Sequence, residues 1–187
     1  DFCLSRGLGD VYKRQIQDSW GPADLIESQK IATGTTQSVQ LRAENPHGHY
    51  NSPLLSLVSG TYPAGPGQVA LTSQVATLYG AHVGGTWQAA GTTWRVTGIV
   101  QDPSNLPDEF ALVAPGQVPH PSQVVMLLGS PAIQQAISNG TLTGVPAATV
   151  SFPTGSASKL SPATLVLVVE VLGLVFIGLV SVAGFSV

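Results

Sequence analysis

Gly60 to Gly116 reads GTYPAGPGQVALTSQVATLYGAHVGGTWQAAGTTWRVTGIVQDPSNLPDEFALVAPG, and the fold of the chain is read outward from it. Gln68 to Leu71 is a short apolar strand. Thr72 or Ser73 caps a helix whose apolar positions Val75, Ala76, Leu78 and Tyr79 carry it to Gly80, a natural stop. Thr86 to Ala89 and Thr92 to Val100 are then two strands joined by Ala90-Gly91, and a two-residue loop fixes a register in which Trp87 faces Trp94. Period-two alternation places Trp87, Ala89, Trp94, Val96 and Val100 on one face, with Gln88, Thr93, Arg95 and Thr97 on the other. Adjacent tryptophans suit a ligand platform, but a cross-strand aromatic pair that holds a small core accounts for them with fewer assumptions. Asp102-Pro103-Ser104-Asn105 is a turn, and Phe110 to Ala114 is a further strand that ends at Pro115-Gly116.

Upstream, Gln17 to Lys30 contains a turn at Gly21-Pro22 and predicts a short helical turn over Asp24 to Ser28. Thr35 to Ala43 alternates as a half-buried strand does, with Val39, Leu41 and Ala43 on one face and Ser38, Gln40 and Arg42 on the other. Asn45-Pro46-His47-Gly48-His49 breaks it, and Pro53 to Val58 leads apolar residues toward Gly60. Downstream, Val124 to Leu128 and Ala148 to Phe152 read as strands, Ser130-Pro131 opens a short helix to Ser138, and Thr154 to Ser158 is a flexible juncture.

The last 23 residues, Leu165 to Val187, run LVLVVEVLGLVFIGLVSVAGFSV with Glu170 as their only charge. As a helix they reach ~34 Å, enough to cross a hydrocarbon core of ~30 Å with some tilt. Ser161-Pro162 supplies its cap and first residue, so 161–187 is expected to be a transmembrane helix. Glu170 is the ionisable residue of that span, and with Gly173 and Gly178 it is the candidate for coupling or helix packing.

The opening residues 1–15, DFCLSRGLGDVYKRQ, resemble a translated sequencing-adapter read-through and are set aside as a non-native leader. They hold the only cysteine, Cys3, so neither a disulfide framework nor a thiolate metal site is expected in the rest. The whole chain has a formal net charge of -3, and outside the leader its cations are Lys30, Arg42, Arg95 and Lys159. That is too sparse for a phosphate-binding surface, so no nucleic-acid partner is expected. Residues 16–160 are long enough for one domain with its own core.

The block from Gly60 to Gly116 resembles the MacB-like periplasmic core domain of FtsX-like ABC-transporter permeases. The resemblance rests on the order Gly60-Thr61-Tyr62-Pro63, Gln68 to Thr72, a helix ending at Gly80, Val83-Gly84-Gly85-Thr86, and Val96 to Pro103. It implies an α+β extracytoplasmic domain over 16–160 with a mixed or antiparallel sheet and short helices, followed by one C-terminal transmembrane helix of a truncated permease domain. It further implies a bacterial plasma-membrane subunit without a catalytic centre or cofactor of its own, partnered by membrane lipid, a separate ABC ATPase and a second permease copy or half. Its outer domain would then couple ATP-driven helix motion to export or to an extracytoplasmic partner.

The residues themselves agree with a non-enzymatic chain. Gly65-Pro66-Gly67 lacks the lysine of a phosphate loop, and no serine has the Gly-x-Ser-x-Gly context. His47 and His49 have the spacing of two metal ligands on a strand but no third ligand nearby, so no metal is expected. Asp102, Asp108 and Glu109 sit in turns, where Asp caps backbone amides. The alternative function is a surface binding protein held by a C-terminal membrane anchor, because small residues Gly155 to Ser158 precede an apolar tail.

Overall fold

Thr92–Gln101, TTWRVTGIVQ, is rich in β-branched residues and forms one ten-residue strand that three others share. The computed structural model describes residues 17–18, 21–34, 37–128, 135, 139, 148–151 and 165–170. Among these, the strands are β1 (Ala23–Ala32), β2 (Ser38–Glu44), β3 (Ser56–Gly60), β4 (Gln68–Thr72) and β5 (Thr86–Ala89). They continue with β6 (Thr92–Gln101), β7 (Phe110–Val113), β8 (Gln123–Leu128), β9 (Ala148–Ser151) and β10 (Leu165–Glu170). Their order in one sheet is β3-β6-β4-β7-β2-β1-β8-β10-β9, with β5 also on β6. The β4–β6 and β2–β7 pairs are parallel and the others antiparallel, so the sheet is mixed. Helix is scarce: α1 (Ser73–Leu78) crosses from β4 toward the β5–β6 hairpin, and a 3-10 turn covers Ser52–Leu54.

The hairpin has the register its loop demands. Trp87 pairs with Trp94 and Ala89 with Thr92, while Ala90 and Gly91 take φ of 50° and 71°, as a primed two-residue turn requires. The Ala90 N–H donates to the Ala32 carbonyl at 2.8 Å and ties the hairpin tip to the end of β1. Trp87 is 3% exposed and lies with Val69, Leu71, Val75, Val96 and Ala111 in the larger core, against which Trp94, Tyr79 and Ile99 pack.

Val100 departs from the simple alternation. It joins a second core on the other face of the sheet, with Leu55, Ala70, Phe110 and Leu112. The cause is a bulge: Val69 pairs with Val96 but Ala70 with Gly98, so β6 gains a residue at Thr97 and its parity inverts beyond it. The Thr97 hydroxyl donates to the Val69 carbonyl at 3.3 Å beside the shift. A matching irregularity lies between Leu57 and Ser59 in β3.

Two other sequence expectations change. Asp24 to Ser28 is not a helical turn but part of β1, paired with β8 throughout and, from Ile26 on, also with β2. Helix propensity, here that of Leu25 and Glu27, is a weak preference, and two flanking strands outweigh it. Leu165–Glu170 is a strand between β8 and β9, with Glu170 opposite Gln123. A short apolar run does not distinguish strand from helix by periodicity, and three valines suit the pleat. No helix among the described residues is long and apolar enough to cross a membrane. Residues 171–187, with Gly173 and Gly178, lie outside the described residues, as do the juncture at Thr154 to Ser158 and, apart from Gln135, the expected helix from Ser130 to Ser138.

Gly60 and Gly98 are where the outer strand crosses β6 at backbone contact. A Cβ on Gly98 would stand 2.5 Å from the Thr61 carbonyl oxygen and 2.9 Å from that of Ser59. Gly98→Ala is therefore expected to lower the unfolding free energy by about 1–3 kcal/mol in urea titration. Gly65→Ala, into open space, should raise it by about 0.4–1 kcal/mol. Equal stabilities for the two variants would contradict this packing.

Candidate functional site

On a strand, residues two apart share a face, so Arg42 and Glu44 of β2 point to the same side of the sheet. That side is the second core. Arg42 is 7% and Glu44 1% exposed, and the guanidinium carbon lies 4.8 Å from the centre of the Phe110 ring. Arg42 Nη2 donates to Glu44 Oε2 at 3.2 Å, while Nε stands 2.8 Å from Oε1 without the alignment of a hydrogen bond. Arg42 Nη1 reaches Asp108 Oδ2 at 3.4 Å.

Asp108 arrives on the connection between β6 and β7. That connection is shaped by Asp102, whose Oδ1 accepts the Ser104 N–H at 2.8 Å and the Asn105 N–H at 3.3 Å, as an Asp at a turn does. The Ser104 hydroxyl bonds the same oxygen at 2.5 Å. Thr72 does not cap α1 with its side chain; its hydroxyl accepts the Phe110 N–H at 3.3 Å and anchors the start of β7. Asp102 thus has the capping role expected of it, whereas Asp108 faces a buried cation.

Electrostatics follow from this enclosure. Burial pushes the Glu44 carboxyl above its ordinary range; Arg42 opposes the rise, and the charges of Asp102 and Asp108 add to it. Asp108 is raised too, first by burial, with Arg42 again opposing and Asp102 adding. The Tyr62 hydroxyl is raised by burial and by the Glu44 charge, against a backbone hydrogen bond from Leu57.

Tyr62 joins this cluster to the surface. With Pro46, His47, Leu57, Pro63 and Pro115 it lines an open, mainly apolar groove of about 480 Å³. His47 stands edge-on to the Tyr62 ring at 5.8 Å, and His49 edge-on to Tyr50 at 4.6 Å. Among the described residues no group of three His, Cys, Asp or Glu is arranged to hold a metal ion. Trp87 and Trp94 lie on the opposite side of the sheet, packed in the larger core. Glu170 ends β10 at the far side of the sheet from β3.

The Arg42–Glu44–Asp108 cluster was not foreseen from sequence. The available signal was Arg42 and Glu44 two apart on a strand in a chain with few charges, but that pattern reads equally as a solvated strand face.

No protein-family model matches the chain, and no curated protein matches it. Among solved structures it is similar to the extracellular domain of the noncanonic ABC-type transporter YknZ from Gram-positive bacteria. The two share 14% identity over 68% of this chain and 75% of that one, with a TM-score of 0.49.

The raised Glu44 value sets a direction for stability. A carboxyl whose folded pKa lies above its unfolded value stabilises below the unfolded value, and that contribution is lost as pH rises through the folded one. Relative to Glu44→Gln, the wild-type chain should therefore lose stability from below pH 4.5 upward, read as urea midpoints at pH 4 and pH 7. Parallel pH profiles for the two proteins would contradict the assignment.

Proposed function

We infer that this chain is the extracytoplasmic domain of an ABC-transporter permease subunit, a non-enzymatic module. The observation that carries the reading is the coherence of the segments on which the family resemblance rests. Gly60 and Thr61 pack on Gly98 and Thr97, with the Thr61 N–H donating to the Thr97 carbonyl at 2.9 Å. Gln68–Thr72 is the parallel neighbour of Val96 to Val100. The Gly84 N–H donates to the Val96 carbonyl at 2.8 Å, and the Val96 N–H to the Gly85 carbonyl at 2.9 Å. Segments spread over more than thirty residues of sequence thus meet around one strand, which is what a shared structural motif requires and a chance series of short matches does not.

In this reading the apolar residues 171–187, which follow β10 in the sequence, tether the domain to the bacterial plasma membrane. A separate ATPase subunit supplies the energy, a second permease copy or half completes the pathway, and Gly173 and Gly178 belong to the tether, whereas Glu170 ends β10 of the sheet. The mainly apolar groove over Tyr62 is the surface on which displacement of the domain would act on an extracytoplasmic partner.

Topology and partnership are both measurable. With Cys3 replaced by Ser, Val58→Cys places a single thiol at a residue 52% exposed on the outer strand β3. In bacterial cells expressing this chain, a membrane-impermeant maleimide should label it without permeabilisation, and affinity purification should retain an ABC ATPase. Labelling only after permeabilisation would overturn the extracytoplasmic assignment. Labelling in intact cells without a retained ATPase would favour the membrane-anchored binding protein instead.

A further inference from the structure

Four charged side chains converge where β2, the β6–β7 connection and the segment after β3 meet. Arg42 and Glu44 come from β2 and Asp102 and Asp108 from the connection, and Tyr62 is the titratable group on the third side. The Arg42 guanidinium contacts two carboxylates, Glu44 and Asp108, and Asp102 adds a third negative charge nearby, so negative charge is in excess in a place largely closed to water.

Its contacts are unequal. Glu44 has two oxygens within 2.8 and 3.2 Å of the guanidinium and a fully enclosed side chain, whereas Asp108 has one at 3.4 Å and a side chain 26% exposed. A proton relieves excess negative charge most simply, and Asp108 gives up least by taking it. The guanidinium keeps its closer contact with Glu44, and Asp102 faces one like charge fewer.

The connection that Asp108 secures has few other ties. Asp102 shapes its first turn, Gln74 Nε2 of α1 donates to the Leu106 carbonyl at 3.0 Å, and Leu106 itself is 59% exposed. The Arg42–Asp108 contact is its ionic link to the sheet.

We propose that Arg42 and Asp108 form a proton-operated latch: ionised Asp108 holds residues 103–109 against β2, and its protonation frees them. This device is independent of the transporter reading. Burial and the Asp102 charge make release begin above the ordinary Asp range.

Amide hydrogen exchange of the full chain, corrected for the intrinsic effect of pH, tests the latch at two positions. The Asn105 N–H bonds the Asp102 carbonyl at 3.2 Å, and the Asp108 N–H bonds that of Asn105 at 2.9 Å. Between pH 7 and pH 4 their protection should fall about two- to fivefold while amides of β4 and β6 keep theirs. Asp108→Asn should already show the lower protection at pH 7. Glu44→Gln leaves Asp108 the whole guanidinium and one like charge fewer, so release should move to lower pH. Flat wild-type protection, wild-type protection in Asp108→Asn at pH 7, or an upward shift in Glu44→Gln would each overturn the proposal. Should Asp108→Asn also lose protection in β4 and β6, the wild-type profile and the Glu44→Gln shift decide the matter.

Discussion

The bulge at Thr97 is the constraint on which the rest of the sheet depends. A strand of uninterrupted alternation would put Val96 and Val100 on one face, and β6 would serve a single core. With one residue gained, Val96 packs beside Trp87 while Val100 packs beside Phe110. The same strand therefore organises both sides of the sheet. It carries the hairpin and β3 along one edge and β4 along the other. Glycine at 60 and 98 follows from this, since the chain turning out of β3 crosses β6 with no room for a side chain.

The two faces are then used differently. One is closed by α1 and the hairpin, with Val75, Ala76 and Trp87 against the strands. The other is closed by Leu55 and the chain around Tyr62, and its core is small enough that Arg42 and Glu44 complete it. Burying a charged pair is costly unless each partner satisfies the other, and here the second carboxylate, Asp108, comes from the connection between β6 and β7. That connection is thereby fixed to β2, which β4 and β7 separate from β6 in the sheet.

Local features were legible in the sequence and long-range ones were not. The pairing of Trp87 with Trp94 follows from a two-residue loop, because turn length alone sets a hairpin register. The strand at Ser38–Glu44 and the alternation of Val39, Leu41 and Ala43 were equally visible. The position of Val100 was not, since the bulge arises from how β4 lies against β6. Asp24 to Ser28 read as helix because its residues tolerate one, and only the neighbours β2 and β8 make it a strand. Leu165–Glu170 poses the same ambiguity at the apolar extreme: the composition suits a membrane helix, and β8 offers it six opposed positions in a sheet. Arg42 looked like a residue of a polar face, and its burial depends on Asp108, sixty-six positions further along.

The most direct test of this arrangement is a set of nuclear Overhauser contacts across β4 and β6. The account predicts backbone contacts between Val69 and Val96 and between Ala70 and Gly98, with the Val100 methyls near Phe110 and Leu112. Ala70 lying opposite Thr97, with the Val100 methyls on the side of Trp87, would contradict it.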